Sequence, residues 1–136
     1  MTETSTALAR WHAVLTARDA AAVPGLLAPD AVFRSPAVFA PQEGRDLVAA
    51  YLTAAMTVLG DHFRYEREWT GPDSAVLEFV SEVDGREIHG IDMITWDDAG
   101  LISSFTVMVR PLSALNTLMA RMAEELGRML GGPATG

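Results

Sequence analysis

A single acidic residue interrupts an apolar face in the second half of the chain. Residues 87–96 are predicted to form a β-strand, in which successive side chains project to opposite faces. Asp92 therefore lies on the face that carries Gly90, Ile94 and Trp96. Desolvation on such a face raises the pKa of a carboxyl group, because the charged form is disfavoured in a low dielectric. A carboxyl group that holds its proton near neutral pH can donate that proton, or a hydrogen bond, to a ligand. Asp92 is therefore the predicted acid/base or hydrogen-bonding group.

The residues expected around Asp92 form an apolar pocket for a small molecule, provided that its face of the sheet is the concave one. The predicted substrate-binding residues are Trp11, Phe33, Ser35, Tyr51, Leu77, Phe79, Ile94, Trp96, Phe105, Val107 and Val109. Trp11 and Tyr51 lie on apolar helix faces, so each is expected first in the core or pocket wall and second as a hydrogen-bond donor to a ligand. Ser35 is expected to be a strand-end or turn residue, because no Gly-x-Ser-x-Gly turn surrounds it.

A structural role for Asp92 is the alternative. In that case a tyrosine, a tryptophan or a water molecule would satisfy its carboxylate inside the core, with no part in any chemistry. The same pocket would then bind a ligand without transforming it, or side chains would fill it.

Metal and cofactor binding are not predicted. His12, His62 and His89 lie on different elements, and strand parity sends His89 and Asp92 to opposite faces. No glycine-rich phosphate-binding loop follows a predicted strand, so no nucleotide cofactor is indicated. The chain has no cysteine, which excludes thiolate catalysis and cysteine-ligated metal sites.

The periodicity of the apolar residues changes from helical to alternating beyond Gly60. Helical spacing predicts helices over residues 5–18, 23–27, 45–59 and 115–129. Alternation predicts strands over residues 31–35, 63–69, 75–83, 87–96 and 101–110. In the second of these strands, Phe63, Tyr65, Arg67 and Trp69 are expected to share one face. Helices followed by a meander indicate an α+β fold, in which N-terminal helices cover a curved antiparallel sheet and a C-terminal helix closes the domain.

Composition limits the classes of partner. A chain of 136 residues with 49% hydrophobic content fits one domain, predicted over residues 1–130 with a disordered tail over 131–136. The formal charge of −8 argues against nucleic acid and membrane partners, which attract basic surfaces. Residues 1–10 lack the apolar run of a secretory signal, and no stretch reaches the roughly 18 apolar residues of a membrane span. A cytoplasmic location is therefore expected.

Several short strings, in this order and spacing, resemble the nuclear transport factor 2-like superfamily, with its SnoaL-like and ketosteroid isomerase-like branches. The strings are DAVFRSP at residues 30–36, GRD at 44–46 and GIDMITWDDAGLI at 90–102. The ending VMVRPL at residues 107–112 is similar to that of a bacterial branch. The resemblance implies a cone of bent sheet and helices around a pocket, commonly dimeric through the sheet. It implies no single reaction, because sites vary on a shared fold.

Three positions of the ketosteroid isomerase pattern can be compared with this chain. Asp92 matches the buried aspartate that helps to form an oxyanion hole in those enzymes. Ser35 stands before Pro36 where the general-base aspartate is expected, and Trp11 stands where the family has a tyrosine. A serine cannot shuttle a proton at neutral pH without an activating base, and an indole N–H donates but never accepts. Steroid isomerisation by the familiar route is therefore not expected, and a single-acid mechanism through Asp92, of the kind that the resemblance to polyketide cyclases implies, stays open.

Two functions that involve a ligand stay open at this point, beside a third possibility, a structural dimer module with a filled core and no ligand. The first is a cofactor-independent enzyme of the isomerase or cyclase type that acts on an apolar carbonyl compound through Asp92. The alternative is a non-catalytic binding protein for an apolar small molecule, with Asp92 and Trp11 only orienting the ligand. A homodimer is expected from the resemblance alone.

Overall fold

Alternating residues in the second half of the chain build most of a six-stranded sheet, and the amphipathic segments form the helices that cover it. The computed structural model describes residues 6–129. The helices are α1 (Thr6–Ala17), α2 (Arg45–Leu59) and α3 (Leu112–Met129). The strands are β1 (Leu27–Arg34), β2 (Gln42–Glu43), β3 (Arg64–Thr70), β4 (Ser74–Val83), β5 (Arg86–Trp96) and β6 (Ile102–Arg110).

The strands lie in the order β2-β1-β6-β5-β4-β3, in a curved sheet that does not close into a barrel. The meander β3 to β6 is antiparallel throughout, as the hairpin signals predict. β1 pairs with β6 in parallel, which the sequence did not predict. Pairing between strands so far apart in the chain leaves no local signal, because periodicity reports only the face of a strand. The α+β prediction is confirmed.

One face of the sheet carries all three helices. Leu8 of α1 and Leu52 of α2 share a buried cluster with Leu77 of β4. Leu118 of α3 shares a second cluster with Phe79, further along the same strand. Because residues 77 and 79 project from one face of β4, the helices bury that face and leave the other outside.

The segment before β1 differs from its prediction. The expected helix over residues 23–27 is replaced by two 3₁₀ turns, Ala20–Ala22 and Pro24–Leu26, and β1 begins at Leu27 rather than at residue 31. Pro24 occupies the first position of its turn, where its missing N–H costs no hydrogen bond. The tail predicted over residues 131–136 lies outside the described residues.

A β-bulge in β3 reverses which residues of the strand project to each face of the sheet. Tyr65 pairs with Phe79, whereas Arg67 pairs with Glu78, so β3 advances two residues while β4 advances one. Tyr65 therefore projects to the helix-covered face, and Arg67 projects to the outer face, where its guanidinium contacts the Glu78 carboxylate at 2.6 and 3.1 Å. Trp69 also lies outside, with 51% of its surface exposed. The prediction that residues 63, 65, 67 and 69 share one face is therefore wrong.

Gly90 lies where the backbone of β6 and the ring of Phe79 come close to β5. A Cβ atom at this position would overlap the carbonyl oxygen of Met108 and would lie 2.6 Å from the ring of Phe79. Glycine is thus required two residues before Asp92, since any side chain would displace the ring or the strand.

Within residues 6–129, no helix is long and apolar enough to cross a membrane.

Candidate functional site

The helix-covered face of the sheet encloses a cavity of about 230 Å³. Such a volume lies slightly below the usual range of small-molecule pockets, roughly 300 to 1,000 Å³, so it suits a small ligand. Its wall is almost entirely apolar. The lining comprises Trp11, Leu15, Arg18, Phe33, Ser35, Pro36, Val38, Tyr51, Leu52, Ala55, Met56, Leu59, Gly60, Phe63, Tyr65, Phe79, Asp92, Phe105, Val107, Leu118, Met119, Met122, Ala123 and Leu126.

Strand register places Asp92 in this wall. Asp92 lies on β5 between Leu77 of β4 and Val107 of β6, which are its direct partners in the two ladders. Cross-strand partners project to the same face, so the carboxyl group is surrounded by apolar side chains. Only 6% of the residue is exposed. The inward direction of Asp92 agrees with the parity of residues 87–96.

A chain of hydrogen bonds runs from α1 through β3 to Asp92. The indole N–H of Trp11 donates to the hydroxyl oxygen of Tyr65 at 3.0 Å. The Tyr65 hydroxyl in turn donates to Oδ2 of Asp92 at 2.6 Å. Because an indole can only donate, the chain has one direction, from Trp11 to the carboxylate.

Burial is the main cause of the pKa shifts of Asp92 and Tyr65 in this hydrogen-bond chain. Desolvation raises the pKa of Asp92 from 3.8 to about 7, although the hydrogen bond from Tyr65 works in the opposite direction. Burial likewise raises the pKa of Tyr65 well above 10, and the neighbouring Asp92 charge raises it further. Near neutral pH, Tyr65 therefore keeps its proton, while Asp92 is present in both protonation states.

The second oxygen of the carboxyl group is available to a ligand. Tyr65 occupies Oδ2, and Oδ1 has no hydrogen-bond partner among residues 6–129. Within this same part of the chain, no fully buried side-chain nitrogen or oxygen is left unpaired. Since Asp92 lines the cavity, the unpaired Oδ1 must be accessible from it. A ligand oxygen could therefore accept a hydrogen bond from a protonated Oδ1.

Aromatic packing holds Trp11 and Tyr65, the two donors of the hydrogen-bond chain, in place. The Trp11 ring packs edge-on against Phe105, with 5.0 Å between ring centroids. Phe63 packs edge-on against Tyr65 at the same centroid distance. These contacts restrict both rings, so the hydrogen bonds need little further ordering.

The cavity brings together most of the residues predicted to bind a ligand. Trp11, Phe33, Ser35, Tyr51, Phe79, Phe105 and Val107 line it together with Asp92. The remaining four, Leu77, Ile94, Trp96 and Val109, lie outside its lining. Leu77, Ile94 and Trp96 project from the same face as Asp92 but join Ala7 and Leu8 of α1 in the core. Val109 packs in the cluster beneath α3. The difference arises because parity predicts the face of a residue but not which helix covers it.

Ser35 has the turn role that the sequence favours. Its hydroxyl oxygen accepts hydrogen bonds from the backbone N–H groups of Ala37 at 3.0 Å and Val38 at 3.3 Å. This pattern is typical of a serine that closes a turn. No base is bonded to its hydroxyl among the described residues, so it lacks the activation that a nucleophile needs.

Tyr65 and Arg18 are lining residues that the sequence analysis did not select. Tyr65 had an available signal, because its parity relative to Phe63 placed it on an apolar face. Arg18 had none, since a charged residue at the end of a helix is normally solvated. The sequence did not predict that α3 lines the cavity, through Leu118 and Met122, because its apolar stripe is equally typical of a core helix.

Metal ligation finds no support in the geometry. Across residues 6–129, no three side chains of the types histidine, cysteine, aspartate or glutamate are placed to hold one ion. The polar side chains in the cavity lining are those of Trp11, Arg18, Ser35, Tyr51, Tyr65 and Asp92. Their arrangement suits hydrogen bonding and proton transfer to an organic ligand.

Comparison with solved structures identifies proteins of similar fold. A steroid delta-isomerase from Pseudomonas aeruginosa is 44% identical, with a TM-score of 0.88 and 93% of each chain covered. A protein with a cystatin-like fold from Silicibacter pomeroyi DSS-3 is 31% identical, with a TM-score of 0.84 over 94% of this chain and 88% of its own. SalBIII, an epoxide hydrolase/cyclase-like enzyme in pyran ring formation of salinomycin, is 17% identical, with a TM-score of 0.63 over 76% of this chain and 88% of its own. At that identity the likeness shows the fold alone.

Sequence comparison agrees with the structural neighbours. No curated protein matches the chain. The SnoaL-like domain family, however, matches residues 8–105, which extend from α1 into β6 and include Asp92. The chain therefore belongs to the SnoaL-like domain family, within the nuclear transport factor 2-like superfamily.

Proposed function

We propose that the protein is a cofactor-independent enzyme of the isomerase or cyclase type that acts on an apolar carbonyl compound. Asp92 serves as its acid/base and hydrogen-bond donor. The observation that carries this proposal is the open Oδ1 of a carboxyl group with a pKa of about 7 inside an apolar cavity. Such a group is present in both protonation states at neutral pH, which is the condition for efficient general acid–base catalysis.

The hydrogen-bond chain leaves one donor for the substrate. Tyr65 uses its only proton on Asp92 and accepts from Trp11, so neither residue has a proton left for a ligand in this arrangement. A substrate carbonyl oxygen would therefore accept its hydrogen bond from Oδ1 of the protonated Asp92. That bond withdraws electrons from the carbonyl and makes the adjacent C–H more acidic.

The ionised form of Asp92 can take the proton from carbon instead, which leaves an enolate, and the protonated carboxyl group then returns this proton to carbon or to the enolate oxygen. The hydrogen bond from Tyr65 stabilises the carboxylate, and the apolar wall keeps it poorly solvated and basic. Ser35 occupies the position where ketosteroid isomerases are expected to carry a second acid/base group. Because Asp92 acts alone, the substrate carbon must already be acidic, as between two carbonyl groups.

The similarity to a steroid delta-isomerase supports this class of reaction. The serine at position 35 argues against the two-carboxylate mechanism for this chain. A small apolar carbonyl compound whose enolisation leads to isomerisation or ring closure fits both observations.

A non-catalytic binding role is the second candidate. The observation that favours it is the pairing of Asp92 with Tyr65, because a tyrosine partner is what a purely structural carboxyl group would have. In that role Oδ1 would orient a ligand carbonyl without transferring a proton.

Proton exchange at an activated carbon separates the two candidates. The assay follows deuterium incorporation from D₂O into small apolar 1,3-diketones by NMR, and calorimetry measures their binding. Asp92→Asn is expected to slow exchange about 10² to 10⁴-fold, with the dissociation constant changed less than about threefold. Asp98→Asn, in the exposed turn after β5, is the control, and it should catalyse deuterium exchange into the diketone at the wild-type rate. Binding without exchange in the wild-type protein would establish the binding role, and exchange unaffected by Asp92→Asn would reject Asp92 as the acid/base.

The homodimer implied by the resemblance stays a prediction. The outer face of the sheet exposes Trp69, Met93 and Met108, which such a dimer would cover. The proposed chemistry is contained within one chain and does not depend on this assembly.

A further inference from the structure

The lining of the cavity contains two charged residues, Asp92 and Arg18. Asp92 is buried, whereas the side chain of Arg18 is 50% exposed. Arg18 therefore lies where the cavity meets solvent, and the two charges occupy the inner wall and the mouth. The function proposed for Asp92 gives no role to this cation.

The backbone at Arg18 is of a kind that normally carries glycine. Its φ angle is 53°, in the left-handed region, directly after the end of α1. The N–H of Arg18 donates to the Leu15 carbonyl, and the N–H of Asp19 donates to the Val14 carbonyl, each at 3.1 Å. These two bonds define a Schellman motif, whose left-handed residue is usually glycine. An arginine at this position carries a conformational cost, and residues held in such conformations are often functional.

The contacts of the guanidinium group hold it at the mouth but do not neutralise it. Its two terminal nitrogens donate to the carbonyl oxygens of Gly60 and Met56, at the end of α2, each at 3.3 Å. The carboxylate of Asp61 lies 3.9 Å away, and its side chain is 96% exposed. An exposed ion pair of this length contributes little, so the charge and the remaining N–H donors are available to a ligand.

We propose that Arg18 binds the carboxylate of an amphipathic ligand at the mouth of the cavity. The inference rests on the proposed function and narrows its substrate class to apolar keto acids. The carboxylate end contacts Arg18, the apolar chain fills the cavity, and the ketone oxygen reaches Oδ1 of Asp92.

The local positive charge of Arg18 and the geometry of its donors both fit a carboxylate. The chain has a formal charge of −8, so an anion is repelled by the protein as a whole and needs a local cation. A guanidinium group offers paired N–H donors that match the two oxygens of a carboxylate. A bound carboxylate at the mouth can stay partly hydrated, because Arg18 is itself half exposed.

The test compares two probes that differ only at the end expected to contact Arg18. Nonan-2-one and 8-oxononanoate share a methyl ketone and an apolar chain, and the second carries a carboxylate in place of the terminal methyl group. Calorimetry at pH 6, where Asp92 is mostly protonated and the carboxylate of the probe is still ionised, measures both dissociation constants for wild-type protein, Arg18→Gly and Arg18→Lys. The wild-type protein is expected to bind 8-oxononanoate at least tenfold more tightly than nonan-2-one. Arg18→Gly should remove this preference while leaving the affinity for nonan-2-one within threefold, and Arg18→Lys should restore part of it.

Thermal unfolding distinguishes a ligand contact from a structural one. Arg18→Gly relieves the left-handed backbone but loses the hydrogen bonds to the Gly60 and Met56 carbonyls, so its unfolding midpoint should stay within about 5 °C of the wild-type value. Arg121→Gln removes a positive charge outside the lining and should keep the preference for the keto acid. An unchanged preference in Arg18→Gly, or no binding of 8-oxononanoate to the wild-type protein, overturns the proposal. Neither result depends on turnover, so a failure of the acid/base function in the exchange assay is seen separately.

Discussion

Replacing Asp92 by asparagine should make the protein more stable at alkaline pH. The folded-state pKa of about 7 lies above the ordinary value of 3.8, so the folded protein holds this proton more tightly than the unfolded chain does. The stability that the carboxyl group contributes is therefore fully present below pH 3.8, and it is lost as the pH rises through 7. Asparagine has nearly the same shape and does not ionise, so the variant escapes this loss.

The magnitude follows from the two pKa values. The difference between 3.8 and about 7, at about 1.36 kcal/mol per pKa unit, corresponds to about 4 kcal/mol. The amide oxygen of asparagine can still accept the hydrogen bond from Tyr65, and the amide N–H₂ can point into the cavity. Other groups titrate equally in both proteins, so the change in the stability difference between pH 4 and pH 8 isolates Asp92.

Urea unfolding at a series of pH values measures this difference directly. With an m-value of about 2 kcal/mol per molar, the midpoint of Asp92→Asn should gain about 2 M relative to the wild-type protein between pH 4 and pH 8. Asp98→Asn removes an exposed carboxylate and should track the wild-type protein across the same range. Parallel stability curves for wild-type protein and Asp92→Asn would refute the argument that burial sets the pKa of Asp92.

Two further substitutions test the surroundings of Asp92. Tyr65→Phe removes the hydrogen bond that lowers the pKa of Asp92, and a bond to a charged group contributes about 1.5 to 3 kcal/mol, so the pKa should rise by about 1 to 2 units above 7. The measurement is the ¹³C shift of the aspartate carboxyl carbon against pH, and an unchanged or lower pKa would contradict the role of Tyr65. Gly90→Ala places a methyl group against the Phe79 ring and the Met108 carbonyl, which should lower the free energy of unfolding by about 3 kcal/mol in urea. Gly25→Ala, with nothing within 4 Å of the added methyl group, should differ little from the wild-type protein, and equal effects of the two would disprove the crowding at Gly90.

The sequence was informative wherever one face of one element decided the outcome. The alternation around Asp92 predicted its inward direction, and the apolar stripe of residues 45–59 predicted α2 with the bounds found. Both are properties of contiguous residues, which periodicity reports directly.

Features that depend on contacts between distant segments were not predicted. The bulge after Tyr65 has no composition signal, and the parallel pairing of β1 with β6 joins residues far apart in the chain. The partner of Asp92 was anticipated only as a tyrosine, a tryptophan or a water molecule, because the register of β3 decides which residue reaches it. Arg18 was missed because its role follows from the way α1 ends against α2.

The bulge in β3 restricts where residues can be inserted into or deleted from this chain. One unpaired residue between Tyr65 and Arg67 lets a single strand present an aromatic hydroxyl to the interior and a cation to solvent. Deleting that residue would reverse the facing of one half of the strand, turning a charge inward or the tyrosine outward. Insertions and deletions in relatives of this chain should therefore accumulate at the hairpin tips, where the backbone is exposed, and spare this position.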